Sequence, residues 1–318
     1  MDKLYIVVPC YKEEEILPIT IPEFVRILNE MINDNKISKD SKIVFVNDGS
    51  KDKTWPIIQD AASENNCIIG INLAGNVGHQ NALMAGLEYA KEHCDMCISI
   101  DADLQDDVNT IKEMVEKYQN GADIVFGVRS DRQSDTFFKR FTAQSFYKMM
   151  HKMGVKSVYN HADYRLMSRE SLMALSQYGE SHLFLRGIVA QMGFNTDVVY
   201  YSRKERVAGE SKYPLKKMLS FAWNGITSFS VKPISVLMTL GIVIIFCSIA
   251  AFIYSLVSYL FGSVIPGWTS LIISIWFLGG VQLFAIGMIG QYIGKTYIES
   301  KKRPRYYIKE ISGEDDRG

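Results

Sequence analysis

The sequence lacks a net charge, because 35 Lys and Arg residues balance 35 Asp and Glu residues over 318 positions. This balance argues against a general nucleic-acid binder, which needs a basic surface. Cysteine is also scarce, and the five residues show no regular spacing. That scarcity argues against a disulfide framework and favours a reducing cytosol for the globular part. The polar, charged N-terminal residues predict no cleavable secretion signal.

A second absence lies near the C-terminus, where positions 233–294 contain no Asp, Glu, Lys, Arg or His. Two apolar runs, 234–262 and 268–294, are separated there by a Pro-Gly pair. Helices of these lengths are roughly 40 Å long and can cross a bilayer core of about 30 Å with some tilt. A pair of buried core helices is the alternative. Because uncharged helices of this length are rare in soluble domains, we predict a two-helix transmembrane hairpin.

Basic residues flank this block on both sides, and its connecting loop carries no charge. The positive-inside rule therefore predicts that both chain ends are cytosolic and that the loop faces outward. The stretch 213–232 mixes basic and apolar side chains, which predicts an amphipathic helix at the membrane surface or an ordinary core helix. Gly287, Gly290 and Gly294 form a small-residue face in the second run, which predicts packing within the hairpin or a homo-oligomer.

Residues 1 to about 130 alternate short apolar runs with helical segments. The strand candidates are 4–8, 43–46, 68–72, 97–100 and 124–126, and the helix candidates are 14–34, 53–65, 79–92 and 107–119. This alternation predicts an α/β fold with a mostly parallel sheet covered on both faces. Ligands of such sheets bind beyond the carboxyl ends of the strands, so the residues after each strand are the candidates for chemistry.

Polar motifs follow four of these strands: P-C-Y-K-E-E at 9–14, N-D-G-S at 47–50, G-N-V-G at 75–78 and D-A-D-L-Q at 101–105. The glycine fingerprints of dinucleotide and triphosphate loops are absent. In an extended segment Asp101 and Asp103 would face one site, where their charges repel unless a cation lies between them. Mg²⁺ or Mn²⁺ with a diphosphate is the natural neutraliser. Helix capping is the alternative, and we assign that role to Asp106 and Asp107.

The order of these motifs resembles the family 2 glycosyltransferases, inverting enzymes with a GT-A type, Rossmann-like nucleotide-sugar domain. The resemblance continues through V-R-S-D-R at 128–132, K-R-F at 139–141, H-A-D-Y-R at 161–165 and G-E-S-K-Y at 209–213. With two C-terminal spans, the chain is similar to the polyisoprenyl-phosphate glycosyltransferases. Within that group it resembles the bacterial undecaprenyl-phosphate glucosyltransferases, which are relatives of dolichol-phosphate mannose synthase. The Q-x-x-R-W motif of processive polysaccharide synthases is missing, which favours a single transfer.

The resemblance implies roles for residues at matching positions. It implies a nucleotide-sugar pocket with Asp48 at the base and Asp101 near the ribose and diphosphate, lined also by Pro9, Tyr11 and Glu13. It implies that Asp103 and Gln105, with Asp101 beside them, ligate the metal. It implies that three residues close over the donor diphosphate, namely Arg206, Ser211 and Lys212. It implies that three arginines meet the lipid phosphate, namely Arg129, Arg132 and Arg140.

A lipid phosphate is already an anion, so it needs a cationic binding site more than a general base. Arginine suits such a site because it donates two hydrogen bonds to a phosphate. We therefore predict that Arg129 and Arg140 act in catalysis together with Asp103. The alternative role of these arginines is to form a solvated basic surface that faces anionic lipid. Asp163 stands where this fold places a base, although it can instead position the acceptor or orient Arg165.

The sequence thus predicts a membrane-anchored inverting glycosyltransferase of the cytoplasmic membrane. It would move one sugar, glucose from UDP-glucose, onto undecaprenyl phosphate at the cytosolic leaflet. The alternatives are UDP-N-acetylglucosamine or GDP-mannose as donor, and a sugar-nucleotide-binding scaffold without turnover. The predicted domains are 1–212, with a nucleotide-sugar part to about 128 and an acceptor part from 129, then an interface helix at 213–232, two spans within 233–294 and a basic cytosolic tail at 295–318.

Overall fold

A computed structural model describes residues 1–130, 161–180, 185–202, 232–260 and 267–313. These residues form two compact units. The first unit contains the described residues up to 202 together with 303–313, and the second contains 232–260 and 267–302. The first unit therefore includes both the beginning of the chain and its last described segment.

The first unit is a sheet of eight strands with helices packed against it. Its strands are β1 (Leu4–Cys10), β2 (Lys42–Asn47), β3 (Ile68–Leu73), β4 (Met96–Ser99), β5 (Ile124–Arg129), β6 (His161–Ser168), β7 (Thr196–Tyr201) and β8 (Ile308–Ser312). Its helices are α1 (Leu17–Asn33), α2 (Thr54–Glu64), α3 (His79–His93), α4 (Thr110–Gln119), α5 (Arg169–Ser176) and α6 (Leu185–Val189). The five strands and four helices predicted up to residue 130 are therefore confirmed.

The strand order in the sheet is β7-β5-β6-β4-β1-β2-β3-β8. Strands β4, β1, β2 and β3 are parallel neighbours, as are β5 and β7. Strand β6 is antiparallel to both β4 and β5, and β8 is antiparallel to β3. The sheet is therefore mixed and Rossmann-like. The five predicted strands, β1 to β5, run in the same direction, as the sequence predicted, and only β6 and β8 among the described strands are reversed.

The core follows from the apolar pattern of the predicted segments. All seven residues of β1 are buried, as expected for a strand covered on both faces. In α1 the buried side chains include Leu17, Ile21, Phe24 and Leu28, whose three- and four-residue spacing places them on one face. Helix α3 lies close to the sheet at Gly86, where a Cβ atom would be 2.4 Å from a Val7 methyl carbon. This glycine therefore permits the close packing of α3 on β1.

The C-terminal segment adds the edge strand β8, which the sequence prediction described only as a basic tail. Ile311 pairs with Ile71 of β3. Upstream of the strand, the Arg305 guanidinium donates hydrogen bonds to the backbone carbonyls of Tyr178 and Glu180. Arg305 also lies 3.4 Å from Glu88 of α3. The segment that follows the second unit is thus part of the first unit's sheet.

The second unit consists of two long helices, α7 (Lys232–Leu260) and α8 (Trp268–Ser300). Both lie where the sequence predicted helices. Among the described residues, one stretch, Phe277–Ser300, is long and apolar enough to cross a membrane, and Pro233–Ile244 is a shorter apolar stretch. The predicted interface helix at 213–232 lies outside the described residues except for its last position, and so does most of the loop between the two runs.

Candidate active site

The candidate site is built on polar segments that follow β1, β2 and β4, three strands that run parallel and therefore end at the same edge of the sheet. Strand β6 enters this edge from the opposite direction. Ser99 of β4 pairs with Arg165 of β6, so two residues further Asp101 comes level with Asp163. The Ser99 hydroxyl also donates a 2.6 Å hydrogen bond to the Asp163 carbonyl. The antiparallel register thus brings two distant carboxylates together.

The side chain of His79, the first residue of α3, lies between these two carboxylates. Its Nε2 is 3.6 Å from Asp101 Oδ1 and 3.7 Å from Asp163 Oδ2. Partial removal from water lowers the pKa of His79, but the two neighbouring carboxylates outweigh this effect and raise it overall. Partial removal from water, together with repulsion from nearby carboxylates, raises the pKa of Asp101 to about 6. The attraction of His79 offsets only part of this rise. The imidazole therefore acts as a bridge between two acidic groups.

Asp163 is held as an anion by two arginines and His79. Arg186 of α6 donates from Nε at 3.1 Å and from Nη2 at 2.9 Å, one bond to each carboxylate oxygen. The Nη2 atom of Arg165 lies 3.4 Å from Asp163 Oδ1. Burial alone would raise the pKa of Asp163, but His79 and the two guanidinium groups hold it well below its usual range. A carboxylate this acidic is a weak proton acceptor at neutral pH, which favours a positioning role.

Arg165 itself is 1% exposed. Its Nε and Nη1 atoms are buried and make no hydrogen bond within the described residues. Asp163 is the carboxylate in contact with this buried charge, Asp101 adds a weaker attraction, and burial lowers the pKa of Arg165 in spite of both carboxylates.

The D-A-D-L-Q segment is a turn and not the extended segment that the sequence predicted. Strand β4 ends at Ser99, and Leu104 adopts a left-handed conformation with φ of 53°. This conformation brings the Gln105 N–H within 3.2 Å of Asp103 Oδ1, to which it donates. Non-glycine residues with positive φ are uncommon and collect at functional sites. Asp101 and Asp103 therefore reach the site by a turn, with Gln105 tied to Asp103.

The metal prediction rests on this turn. No group of three or more His, Cys, Asp or Glu side chains with metal-ligand geometry occurs within the described residues. Asp101, Asp103 and Gln105 nevertheless offer only oxygen ligands on the protein side that a hard cation prefers, and Mg²⁺ is commonly bound by one or two carboxylates together with substrate phosphates. The donor set therefore fits a divalent cation that arrives with a diphosphate.

Asp48 follows β2 and organises the loop after β3. Its carboxylate is 2% exposed and accepts hydrogen bonds from Val77 N at 2.7 Å, Gly78 N at 3.1 Å and Asn76 Nδ2 at 3.0 Å. The next residue, Gly49, has φ of 61°, and a Cβ atom there would lie 2.4 Å from the Gly75 carbonyl carbon. Asp48 thus shapes the G-N-V-G loop, while its predicted contact with the base stays a prediction.

The predicted nucleoside residues lie where β1 ends. Pro9 is buried opposite Val46 of β2, and Tyr11 is 45% exposed. The Glu13 N–H donates to Thr54 Oγ1 at 2.9 Å, which fixes the segment against the start of α2. Lys12 is another non-glycine residue with positive φ, at 58°. An exposed ring above a fixed turn is compatible with base stacking, and these roles also stay predictions.

Arg129 ends β5 and joins a second buried cluster. Its Nη2 lies 3.3 Å from Asp106 Oδ1, and Tyr201 at the end of β7 donates to the same oxygen at 2.7 Å. Asp106 therefore accepts hydrogen bonds from these two side chains. It does not cap α4, contrary to the sequence prediction. Asp107 does accept from Asn109 N at 3.3 Å, next to the helix start. The remaining predicted residues lie outside the described residues: Arg132, Arg140, Arg206, Ser211 and Lys212.

Sequence reasoning missed the groups that surround the predicted carboxylates. Arg186 stands in a short helix with no recognisable motif, and Tyr201 ends a strand that was not predicted. His79 is the first residue of the helix predicted at 79–92, and the structure also places its side chain between the two carboxylates. The H-A-D-Y-R motif carried one usable signal, because Asp163 and Arg165 are two residues apart on a strand and so share a face.

Comparison with known proteins gives consistent matches along the chain. Residues 5–176 match the family model described as glycosyl transferase family 2. The chain is 54% identical over 305 residues to the uncharacterized glycosyltransferase YkoT of Bacillus subtilis (strain 168), covering 96% of this chain and 90% of that protein. It is 41% identical over 317 residues to the prophage bactoprenol glucosyl transferase homolog of Escherichia coli (strain K12), covering 97% of this chain and 99% of that protein. It is 42% identical over 315 residues to the bactoprenol glucosyl transferase of Shigella phage SfV, covering 96% of this chain and 98% of that protein.

Proposed function

The chain belongs to glycosyl transferase family 2, and from this premise we propose that it transfers one glucosyl group from UDP-glucose to undecaprenyl phosphate at the cytosolic face of the membrane. The protein is a glycosyltransferase, and its mixed Rossmann-like sheet is the GT-A type fold. The acceptor and the sugar are proposed because two relatives named for bactoprenol glucosyl transfer are similar along nearly the whole chain.

The observation that carries the proposal is the position of the D-A-D-L-Q turn between two groups of side chains. Asp101 at its start lies beside His79, near Asp163, and Asp106 just after it binds Arg129. An acidic turn next to a cationic side chain suits a reaction that joins a metal-bound sugar diphosphate to a phosphate acceptor. The two substrates would then meet at one turn of the chain.

In this proposal each group has a task that follows from its chemistry. Asp103 and Gln105, with Asp101 beside them, would hold Mg²⁺ or Mn²⁺, which neutralises charge on the departing nucleoside diphosphate. Arg129 would bind the acceptor phosphate, whose oxygen is anionic and attacks the anomeric carbon without losing a proton to the protein. Asp163, kept ionised by Arg186, would orient the site and favour the developing positive charge on the sugar.

We further propose that α7 and α8 both cross the membrane. Phe277–Ser300 has the length and composition of one span, and both apolar runs lie between basic flanks. The chain leaves the first unit before α7 and rejoins it after α8, because β8 pairs with β3. Two segments of one folded unit must lie on the same side of a membrane, which supports an even number of crossings.

The test is sugar transfer by the purified full-length protein in detergent. UDP-glucose, UDP-N-acetylglucosamine and GDP-mannose, each labelled in the sugar, are offered separately with undecaprenyl phosphate and Mg²⁺ or Mn²⁺. We expect label in the lipid fraction from UDP-glucose, and its loss when the metal is chelated.

Other outcomes are equally informative. Label from UDP-N-acetylglucosamine or GDP-mannose alone would replace the donor and keep the acceptor. Lipid label from none of the three, with nucleotide binding intact, would contradict the proposal and favour a sugar-nucleotide-binding scaffold.

A further inference from the structure

We infer that Asp106 and Tyr201 are positioning residues that hold the Arg129 guanidinium in the orientation needed to bind the acceptor phosphate. This inference rests on the proposed function, because it takes Arg129 as a phosphate ligand. It gives a function to two residues that the motif-based predictions did not place in the site. From sequence, Asp106 was interpreted only as a helix cap.

The sheet brings Tyr201 and Arg129 together. Strands β5 and β7 are parallel, and their register pairs Arg129 with Tyr201 as the last residues of both strands. Tyr201 is 4% exposed, and its ring packs edge-on against Tyr164 with centroids 5.4 Å apart. The Tyr164 hydroxyl donates to the Asp107 carbonyl at 3.1 Å. The Tyr201 ring therefore has little freedom to move.

Asp106 is the shared acceptor of this cluster. Its carboxylate is 3% exposed and accepts from the Tyr201 hydroxyl at 2.7 Å and from Arg129 Nη2 at 3.3 Å. The Arg129 Nε donates to the Tyr201 oxygen at 3.4 Å. Each of the three side chains thus contacts the other two.

The geometry of the guanidinium shows why this matters for an anion. The contacts to Tyr201 and Asp106 use Nε and Nη2, which form one edge of the planar group. Bidentate binding of a phosphate can use the other edge, formed by Nη1 and Nη2. The Arg129 side chain is 28% exposed, so this edge can reach a ligand. Fixing the edge formed by Nε and Nη2 sets the plane in which the edge formed by Nη1 and Nη2 donates.

The cluster also ties the acceptor side to the donor side. Asp106 follows Gln105 directly, and Gln105 is bound to Asp103 within the turn that would hold the metal. A rotation of Arg129 is therefore resisted by the same backbone segment that positions the metal ligands. A purely structural role would stabilise the fold without any selective effect on the acceptor, and this difference can be measured.

The experiment measures binding and turnover of the full-length protein in detergent for five variants: Arg129→Ala, Tyr201→Phe, Asp106→Asn, Arg129→Ala with Tyr201→Phe, and Tyr200→Phe. Tyr201→Phe removes one oxygen atom and keeps the packed ring. Tyr200→Phe is the matched control, because the neighbouring Tyr200 is 69% exposed on the same strand. The readouts are the Kd for undecaprenyl phosphate, the KM for each substrate, and the thermal unfolding temperature.

We expect Tyr201→Phe and Asp106→Asn to raise the Kd and KM for undecaprenyl phosphate about tenfold, the effect typical of losing a hydrogen bond to a charged group. The KM for the sugar nucleotide should stay within about twofold, and Tyr200→Phe should match the wild type. In the Arg129→Ala background, Tyr201→Phe should cause no further loss, because its effect passes through Arg129.

Equal effects on both substrates, or additive losses in the double variant, would overturn the positioning role and leave the proposed function standing. A wild-type protein that binds no undecaprenyl phosphate would instead refute the proposed function, and the positioning role would fall with it. If Asp106→Asn unfolds, Tyr201→Phe alone decides between these outcomes.

Discussion

Two acidic residues of the candidate site differ sharply in their surroundings. His79 and the guanidinium groups of Arg186 and Arg165 hold the pKa of Asp163 well below its usual range, whereas Asp103 lies on a turn and contacts a backbone N–H. The first is fixed by protein partners before any substrate arrives. The second is suited to an incoming cation. Their substitution should therefore have different consequences.

We predict that Asp103→Ala reduces sugar transfer about 100-fold or more, because a group that stabilises the leaving charge is lost. Asp163→Asn should keep more activity, since a carboxylate with so low a pKa is a weak base. It should instead lower the thermal unfolding temperature, because Arg165 is left as a buried, uncompensated charge. Radiolabelled transfer and thermal unfolding of both variants check this. Equal and complete loss of transfer in both, with folding intact, would indicate a proton-abstracting Asp163.

The same contrast gives an expected pH effect. The folded-state pKa of Asp163 lies below its unfolded value, so its ionised form stabilises the fold at neutral pH. This contribution is present above the unfolded-state value of about 3.9 and is lost as the pH falls through the lower folded-state value. Unfolding temperatures measured from pH 7 down to acid should therefore fall less steeply for Asp163→Asn than for the wild type. Parallel curves would argue against the stabilising anion.

Asp48 allows a further test at the residue scale. Asp48→Asn replaces one acceptor oxygen by an NH₂ donor that faces the backbone N–H of either Val77 or Gly78, so we predict a loss of about 2 kcal/mol of unfolding free energy. The matched control is Asp52→Asn, because Asp52 Oδ1 accepts from Thr54 N at 3.2 Å and the amide oxygen of asparagine can accept the same hydrogen bond. Denaturant unfolding measures both. A loss no larger than that of the control would mean that Asp48 does not organise the loop.

At the scale of secondary structure elements, the sequence was informative where the signal is local. The five early strands are short apolar runs, and the four early helices are amphipathic segments, so periodicity was sufficient. Strand β6 could not be placed in this way, because its position between β4 and β5 depends on pairing between residues 33 to 72 positions apart. The meeting of Asp101 and Asp163 depends on that pairing. A motif search therefore found the residues without their arrangement.

Strand β8 shows the same limit. Its residues, I-K-E-I-S, are too few and too polar for a strand prediction after a long apolar block. Their pairing with β3 covers a strand whose six residues are all buried. A strand edge without its neighbour exposes unpaired backbone groups, so the segment stabilises the sheet although it follows the helical unit in sequence.

We predict that truncation after Tyr307, which removes β8, lowers the thermal unfolding temperature and promotes aggregation through the β3 edge. Truncation after Gly313 is the control, because it keeps the whole strand. Unfolding and light scattering of both proteins in detergent test the prediction. If the shorter protein unfolds at the same temperature and stays monodisperse, β8 does not protect this edge.

At the scale of the whole chain, the proposed double crossing can be tested by chemical labelling. In a Cys247→Ser background, we predict that Ser263→Cys reacts with a membrane-impermeant thiol reagent in intact cells. Lys309 of β8 is exposed, and Lys309→Cys should react only after the membrane is opened, because β8 belongs to the sheet that we propose to be cytosolic. Protection of Ser263→Cys in intact cells would contradict two crossings, and labelling of Lys309→Cys there would place the tail outside.

The position of β8 also sets an order of events during protein synthesis. The strand leaves the ribosome after α7 and α8, so the β3 edge lacks its β8 partner until both helices have been translated. With the proposed double crossing, both helices would be available to the insertion machinery before the sheet can close. A chain released early would carry an open sheet edge, which is a feature that chaperones and proteases can recognise. Completion of the sheet thus marks a molecule whose two long helices have been made in full.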